Sequence, residues 1–367
     1  MSSYAIWLTT PTGDRLKLLD RYTRLRYVLT VNAIGAATVE LPASFPLASY
    51  VQEDSRLEIW RRTDGGQSYL EGDAVWFIRD WDEVLSQRGT ESFSIVAYSP
   101  NELLDRPIIA YPSGSAQAGK SGIEADNLIK AFVRENMGDE ATDTDRDLSA
   151  YLTIMPDLSA GPTSSKSAAW RRLLNTLRDI AQQSDDAGTP LFFGITYNPE
   201  VRLLTFATRI NQWGVDHSTI ADRVVLSPRN GSLGQVERAY VSSAERNYAY
   251  VGGQGQEDSR TIYEAGNAAR IAISPFNRRE VFVEARNVAE DDLPDEGAAA
   301  LRAARVRETF SAKVRDTQAL QYGRDYGFGD RVLAEFRGRL APARLDSVEV
   351  LVQGGREDVN TVLRVDE

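Results

Sequence analysis

The sequence predicts a mainly β protein of the α+β class, with strand-rich stretches at both ends and helix-bearing segments between them. Three observations carry this expectation. In the first hundred residues, seven short segments rich in β-branched and aromatic residues recur between turn formers. Between residues 108 and 212, two apolar stripes recur at the three-and-four spacing of a buried helix face. From Arg223 onward strand-like alternation returns, interrupted by one further helical stretch.

The N-terminal segments are Tyr4–Leu8, Arg15–Leu19, Leu25–Val31, Thr38–Leu41, Leu57–Trp60, Ala74–Ile78 and Phe93–Tyr98. Pro11-Thr12-Gly13-Asp14, Pro42 and Asp64-Gly65-Gly66 punctuate them, a rhythm that predicts an antiparallel barrel or sandwich. The small-residue run Pro112–Gly119 then reads as a loop. Ile123, Leu128, Ile129, Phe132, Val133 and Met137 form one helical stripe; Trp170, Leu173, Leu174, Leu177, Ile180 and Ala181 form a second. Leu191–Tyr197 and Val201–Thr208, joined through Asn198-Pro199-Glu200, read as a hairpin.

After Arg223 come a turn at Asn230-Gly231 and an alternating stretch from Gln235 to Val251, closed by Gly252-Gly253-Gln254-Gly255. A helix from about Ala298 to Thr317 is expected to rest on Leu301, Ala304, Phe310 and Val314, with Arg302, Arg305, Arg307, Lys313 and Arg315 on its solvent side. Val332–Phe336, Ser347–Val352 and Thr361–Val365 read as closing strands. One internal echo links the two ends. Asp54-Ser55-Arg56-Leu57-Glu58-Ile59-Trp60-Arg61 and Asp330-Arg331-Val332-Leu333-Ala334-Glu335-Phe336-Arg337 each place a turn Asp before a strand that ends in an aromatic and an Arg. A duplicated unit is one explanation and chance is the other.

Composition excludes much chemistry. There is no cysteine and one histidine, His217, among 367 residues. Thiol catalysis, disulfides, Cys-ligated zinc and zinc peptidases with several imidazoles are therefore excluded. With 53 acids against 42 bases the net charge is −11, which opposes binding of a phosphate backbone by the chain as a whole. No run approaches the 18 apolar residues of a membrane span, and Met1-Ser2-Ser3-Tyr4 does not open a secretory signal.

Gly114-Ser115-Ala116-Gln117-Ala118-Gly119-Lys120-Ser121 matches the phosphate-binding loop, in which backbone N–H groups, Lys and Ser hold phosphates and Mg²⁺. Pro112 before it, the missing apolar strand ending in Asp, and the absence of alternating strands and helices favour a linker. Asp143-Thr144-Asp145-Arg146-Asp147, within the acidic loop 139–147, resembles the start of a calcium loop, but Leu148 and Ile154 stand where Gly and Glu belong. A solvated loop or a weak cation site remains. His217 lacks a Gly-x-Ser-x-Gly partner motif and reads as a loop histidine. Trp7, Trp60, Trp76, Trp81, Trp170 and Trp213 read mostly as core. No catalytic, cofactor-binding or metal-ligating residue is assigned.

The order of several segments resembles the siphovirus Gp37-like group, the baseplate hub or tail-associated proteins of long, non-contractile-tailed phages. The segments are Asn101–Tyr111, Ala125–Gly138, Asp143–Ser149, Trp170–Leu174, Tyr250–Gly255 and Asn277–Arg286. With them the resemblance covers most of the chain from about residue 20. It implies two related antiparallel β-barrel tube domains, residues 1–107 and residues 218–258 with 325–367. It also implies two α/β decorating domains, 108–217 and 259–324.

It further implies a structural homotrimer in the virion at the tail tip, assembled in the host cytoplasm, whose six barrels form a pseudo-sixfold ring. Its partners would be the distal tail protein, the tape-measure protein and tail fibre or receptor-binding proteins. DNA would pass through an acidic lumen during ejection without sequence-specific binding. Two enzymatic readings compete with this one. The first is a nucleotide-binding enzyme using Gly114, Lys120 and Ser121. The second is a tail-associated cell-wall hydrolase, for which the end of the chain at Glu367 is expected to leave no room.

Overall fold

The structure, a computed structural model, describes residues 2–42, 50–63, 66–85, 89, 91–110, 118–141, 143–255, 257–286, 290 and 293–365. Asp64 and Gly65 of the expected turn lie outside the described residues.

The N-terminal segments form β1 (Ser3–Thr9), β2 (Arg15–Leu18), β3 (Arg24–Thr30), β4 (Ala36–Pro42), β5 (Arg56–Arg62), β6 (Ser68–Leu85) and β7 (Glu91–Tyr98). Leu25, Tyr27 and Leu29 on β3, and Ala37, Val39 and Leu41 on β4, are buried at every second position. Each of these strands therefore gives one face to a core. β6 differs, because Ala74 to Ile78 is buried without a break. Trp76 faces Tyr27, with ring centroids 6.2 Å apart, while Val75 and Phe77 enter a second core on the opposite face. A continuous apolar run is what coverage on both faces demands. Beyond Ile78 the strand is exposed to Leu85 and pairs with β7 as a projecting arm, where Trp81 stacks on Phe93 at 5.5 Å.

The second core belongs to β8 (Ala118–Glu124), α1 (Ala125–Met137), β9 (Leu152–Ile154), β10 (Thr163–Ala168), α2 (Leu173–Asp186), β11 (Leu191–Asn198) and β12 (Leu203–Ile210). β11 and β12 form the expected hairpin, and β9 joins β12 in parallel. Leu128, Ile129, Phe132 and Val133 of α1 and Leu173, Leu177 and Ile180 of α2 pack in one cluster with Phe193, Phe206, Val75 and Phe77. Two expectations shift at the helix starts. Ile123 lies in β8, since Gly122 at φ 67° breaks the path before the helix. Trp170 lies outside α2, exposed and at φ 53°, because the preceding chain is held by the Ile108–Arg172 bridge.

Side chains seal this assembly where strands end. Asn32 accepts the Phe193 N–H at 2.7 Å and donates to the Leu191 carbonyl at 3.0 Å. Asn101 accepts the Ile195 N–H at 2.8 Å and donates to Ala33 at 2.8 Å. The two amides thus replace a neighbouring strand along β11. On α1, Lys130 and Asp126 are both fully buried and 2.8 Å apart. Lys130 also donates to the Pro156 carbonyl at 2.6 Å, and Asp126 accepts the N–H groups of Leu158 and Ala160 at 2.9 and 2.8 Å. Burial alone would raise the Asp126 carboxyl, but Lys130 and these N–H groups hold it below its ordinary value.

The rest of the chain forms β13 (Val225–Leu226), β14 (Leu233–Val241), β15 (Tyr248–Gly252), β16 (Ile262–Gly266), α3 (Ala268–Ile271) and β17 (Glu280–Glu284). Then come α4 (Leu293–Ala303), β18 (Arg307–Val314), β19 (Arg331–Phe336), β20 (Arg339–Gln353) and β21 (Arg356–Val365). The helix expected over 298–317 stops at Ala303. Phe310, Ala312 and Val314 are buried at every second residue of a strand. A four-residue spacing fits both periods, which is why Phe310 and Val314 read as helical. The stretch from Gln235 to Val251 is likewise two strands rather than one. The turns after β19 and β20, Arg337-Gly338 and Gly354-Gly355, have positive φ at both positions, the two-residue geometry that matches strand twist.

The main sheet runs in the order β13-β19-β20-β3-β4-β7-β6-β5-β1-β2, with β21 on β20. It is an open order in which both ends of the chain share one sheet through β20 and β3. Laid flat, β1 and β3 would stand about 24 Å apart at the usual strand spacing. Instead the rings of Tyr4 and Tyr27 meet at 6.4 Å, and Arg61 on β5 reaches Glu357 on β21 at 2.9 Å. The sheet is therefore rolled onto itself.

Contacts divide the chain into two compact units. Of the described residues, one holds those within 2–184, 189–236 and 311–365; the other holds those within 185–188 and 237–310. In the second, β15 pairs with β16 and β17, and Leu293 of α4 packs with Val251 and Ala285. Among the described residues no helix is long and apolar enough to cross a membrane.

Breaking the buried pair by Asp126→Ala is expected to remove about 3–5 kcal/mol of stability, measured by urea unfolding. Replacing both partners by Asp126→Leu and Lys130→Met is expected to recover most of it. Because the Asp126 carboxyl is depressed in the fold, its contribution is complete above its unfolded value. That contribution is lost as pH falls through the folded value. The stability difference between wild type and Asp126→Asn should therefore shrink from about pH 7 to pH 3.

Candidate functional site

The phosphate-loop match is divided by the fold. Gly114 to Gln117 lie outside the described residues. Gly119, Lys120 and Ser121 sit in β8, where Gly119 and Lys120 pair with Ser167 and Lys166 of β10. A phosphate loop instead delivers its Gly-Lys-Ser at the start of a helix, where N–H groups and dipole face the anion. Here α1 begins at Ala125, past Gly122. The Lys120 ammonium pairs with Glu135 of α1 and lies 5.7 Å from the Phe132 ring centroid. Ile108 makes an isolated bridge with Arg172 rather than a leading strand.

The acidic loop is organised by short-range bonds. Asp143 accepts the Asp145 N–H at 3.0 Å, and Asp147 accepts the Ser149 N–H at 2.8 Å. The Ser149 hydroxyl and then this N–H hold the Asp147 carboxyl low. Arg146 donates to the Ile108 carbonyl at 2.9 Å. Among the described residues no three His, Cys, Asp or Glu side chains gather as a metal ion would require.

His217 is a strut. Its Nδ1 lies 2.6 Å from Asp222 and its Nε2 3.4 Å from Asp330, while its backbone N–H bonds Arg331 and its carbonyl accepts from Val224. Asp330 accepts the N–H groups of Val215 and Gly327 at 2.6 and 2.5 Å. Burial outweighs these bonds and lifts its carboxyl above the ordinary value. The nearby Ser218 hydroxyl donates to Asp216 at 2.5 Å, so His217 and Ser218 are engaged separately.

The Asp54 and Asp330 echo corresponds to a shared backbone form. Each Asp precedes a short strand, β5 or β19, that pairs antiparallel with a long one, β6 or β20. The chemistry differs between the two segments. Asp54 pairs on the surface with Arg79 and Arg106 at 2.9 and 2.8 Å. Arg337 is exposed, whereas Arg61 is fully buried.

Arg61 is the residue that sequence reasoning overlooked. Its Nε donates to Tyr4 and Glu357, both at 2.9 Å, and its Nη1 to Tyr69 at 2.8 Å and the Tyr322 carbonyl at 2.7 Å. Tyr322 in turn donates to Glu71 at 2.6 Å. Burial drives the Glu71 carboxyl up, whereas for Glu357 the attraction of Arg61 overcomes burial and keeps it low. The one available signal was the aromatic-Arg ending of the echo.

Two recesses border these elements. One of about 180 Å³ is lined by Glu71, Asp73, Arg209 and Tyr322. A groove of about 650 Å³ lies between β5, the turn after β7 and α1, with Arg56, Phe77, Leu103 and Met137 in its walls. Titration with Mg·ATP to millimolar concentration, followed by calorimetry, is expected to give the same flat response for wild type and Lys120→Ala. Saturable heat lost in the variant would contradict the assignment of Lys120 to the β8–α1 contact.

Solved structures share this fold. The 43 kDa tail protein of prophage MuSo2 from Shewanella oneidensis superposes with a TM-score of 0.60 at 13% identity, covering 100% of both chains. The tail protein from Neisseria meningitidis MC58 gives 0.57 at 11% identity, covering 100% of this chain and 97% of that one. Prophage tail protein gp18 from Listeria monocytogenes EGD-e gives 0.53 at 9% identity, covering 100% and 95%. No curated protein matches the sequence significantly. The mainly β architecture is thus that of phage tail proteins, and the family model described as Siphovirus ReqiPepy6 Gp37-like protein matches residues 5–362: the chain belongs to that family.

Proposed function

We propose that the chain is a structural protein of a long-tailed phage tail, the hub at its distal end. The observation that carries this reading is the repeated Asp-led hairpin, β5–β6 and β19–β20, within one rolled sheet. Two related halves in one chain let three copies present six similar elements, which matches a threefold tip to a sixfold tube. On this reading residues 1–107, and 218–258 with 325–367, are the two tube domains, and 108–217 and 259–324 decorate them. The fold shared with tail proteins and the family membership support it.

The exposed arm of β6 supplies a contact between copies or with the distal tail protein, since Trp81, Val84 and Leu85 leave apolar surface uncovered. Asp80, Asp82 and Glu83 on the same arm fit an acidic wall past which DNA slides without being held. The tape-measure protein would enter the same lumen, and fibres or receptor-binding proteins would attach outside. The role asks for no chemistry.

Cryo-microscopy of the virion tests the reading. Three copies in a ring at the tail tip are the expected result; six copies, or a position along the tube, would overturn it. Light scattering of the purified chain should show trimers appearing as concentration rises.

A further inference from the structure

Arg56, the first residue of β5, is 6% exposed, yet its Nε is buried without a hydrogen-bond partner. Among the described residues no ion pair or side-chain hydrogen bond engages its guanidinium, which lies 4.7 Å from the centroid of the Phe77 ring. The carboxylates on either side in sequence are occupied. Asp54 accepts from Arg79 and Arg106, and Glu58 accepts from Arg15 at 2.8 Å and from the Trp60 indole at 2.9 Å. Five residues further along, Arg61 shows how fully the fold can satisfy a buried guanidinium. Arg56 is left open.

Arg56 also lines the groove of about 650 Å³, whose walls are largely apolar: Phe77, Leu103, Ile108 and Met137. Arg106 and Arg146 line it as well, against the carboxylates of Asp54 and Asp145. The groove therefore carries an excess of positive charge on a chain of net charge −11. Asp54 lies near enough to favour the Arg56 charge, but its oxygens are bonded to Arg79 and Arg106. A buried guanidinium with an unbonded N–H is unfavourable, and a carboxylate offered to it in a dry site forms a short, oriented pair. Asp54 and Asp145 oppose a multiply charged phosphate, whereas one carboxylate between apolar neighbours meets both the charge and the walls.

We propose that this groove docks an extended segment of a partner protein. An Asp or Glu side chain of that segment pairs with Arg56, and the apolar residues beside it cover Phe77, Leu103 and Met137. The inference stands on the groove alone and is independent of where the chain sits in the tail.

The test is selection of a displayed random heptapeptide library on the full-length chain, with the enriched peptides synthesised and measured by fluorescence anisotropy. Enriched peptides are expected to carry one Asp or Glu among apolar residues. Changing that acid to Asn or Gln should weaken binding at least about tenfold, and Arg56→Met should weaken it equally. Arg56→Met should also keep or raise the melting temperature, because it removes a buried charge whose Nε no group bonds. Ile108→Glu, at an exposed position in the groove wall, should weaken the same peptides and serves if Arg56→Met does not fold. A library without binders, enrichment that ignores acidic residues, or equal binding to wild type and either variant would overturn the proposal.

Discussion

The guanidinium of Arg61 is the interaction on which the first compact unit depends. A charged group taken fully out of water is tolerable only when every donor is met and counter-charge lies close. Its partners come from Ser2 and Tyr4 near the N-terminus, Tyr69 on β6, Tyr322 before β19 and Glu357 on β21. These groups meet only if the sheet curls so that its first and last strands face one another. Once they do, the curl is locked, because withdrawing any one partner leaves a buried charge or hydroxyl unmatched. The Tyr322 hydroxyl, held far up by burial, stays protonated and donates to Glu71, which extends the network inward.

The same logic at smaller scale holds the α+β elements in place. The buried Asp126–Lys130 pair ties α1 to the segment 156–160. Asn32 and Asn101 complete the edge of β11 with amide groups where another strand would otherwise be needed. These polar closures specify one arrangement among the many that apolar packing alone would accept. Against that background two features are left unclosed: the outer half of β6, with Trp81, Val84 and Leu85 exposed, and the groove beside Arg56. Surfaces that a fold leaves incomplete are where its contacts with other chains are expected.

Much of the fold was legible in the chain itself. Period-two burial marked β3, β4 and β7, and the three-and-four stripes marked α1 and α2, because one-sided burial writes its period directly into the sequence. The unbroken run Ala74–Ile78 was legible as a strand, and the structure shows it covered on both faces. Where the period was ambiguous, reading failed: Phe310 and Val314 suit a helix and a strand alike, and strand pairing decided between them. The match at Gly114–Ser121 failed for another reason. A motif lists residue types, whereas phosphate binding needs N–H groups converging at a helix start, and Lys120 lies in a strand facing Glu135.

The sequence by itself determined the mainly β fold class, the absence of thiol and multi-histidine chemistry, the acidic charge and the Asp-led echo of residues 54–61 and 330–337. Each of these is a property of local pattern or of composition. Only the tertiary structure decided that both ends of the chain enter one sheet through β20 and β3. It alone separated the two arginines of β5, Arg61 enclosed by five bonded partner residues and Arg56 buried with no hydrogen bond to its Nε. Adjacent positions on a strand differ only in the face they present. What each face meets depends on residues such as Tyr322 and Glu357, which lie hundreds of positions away and arrive only when the sheet has rolled.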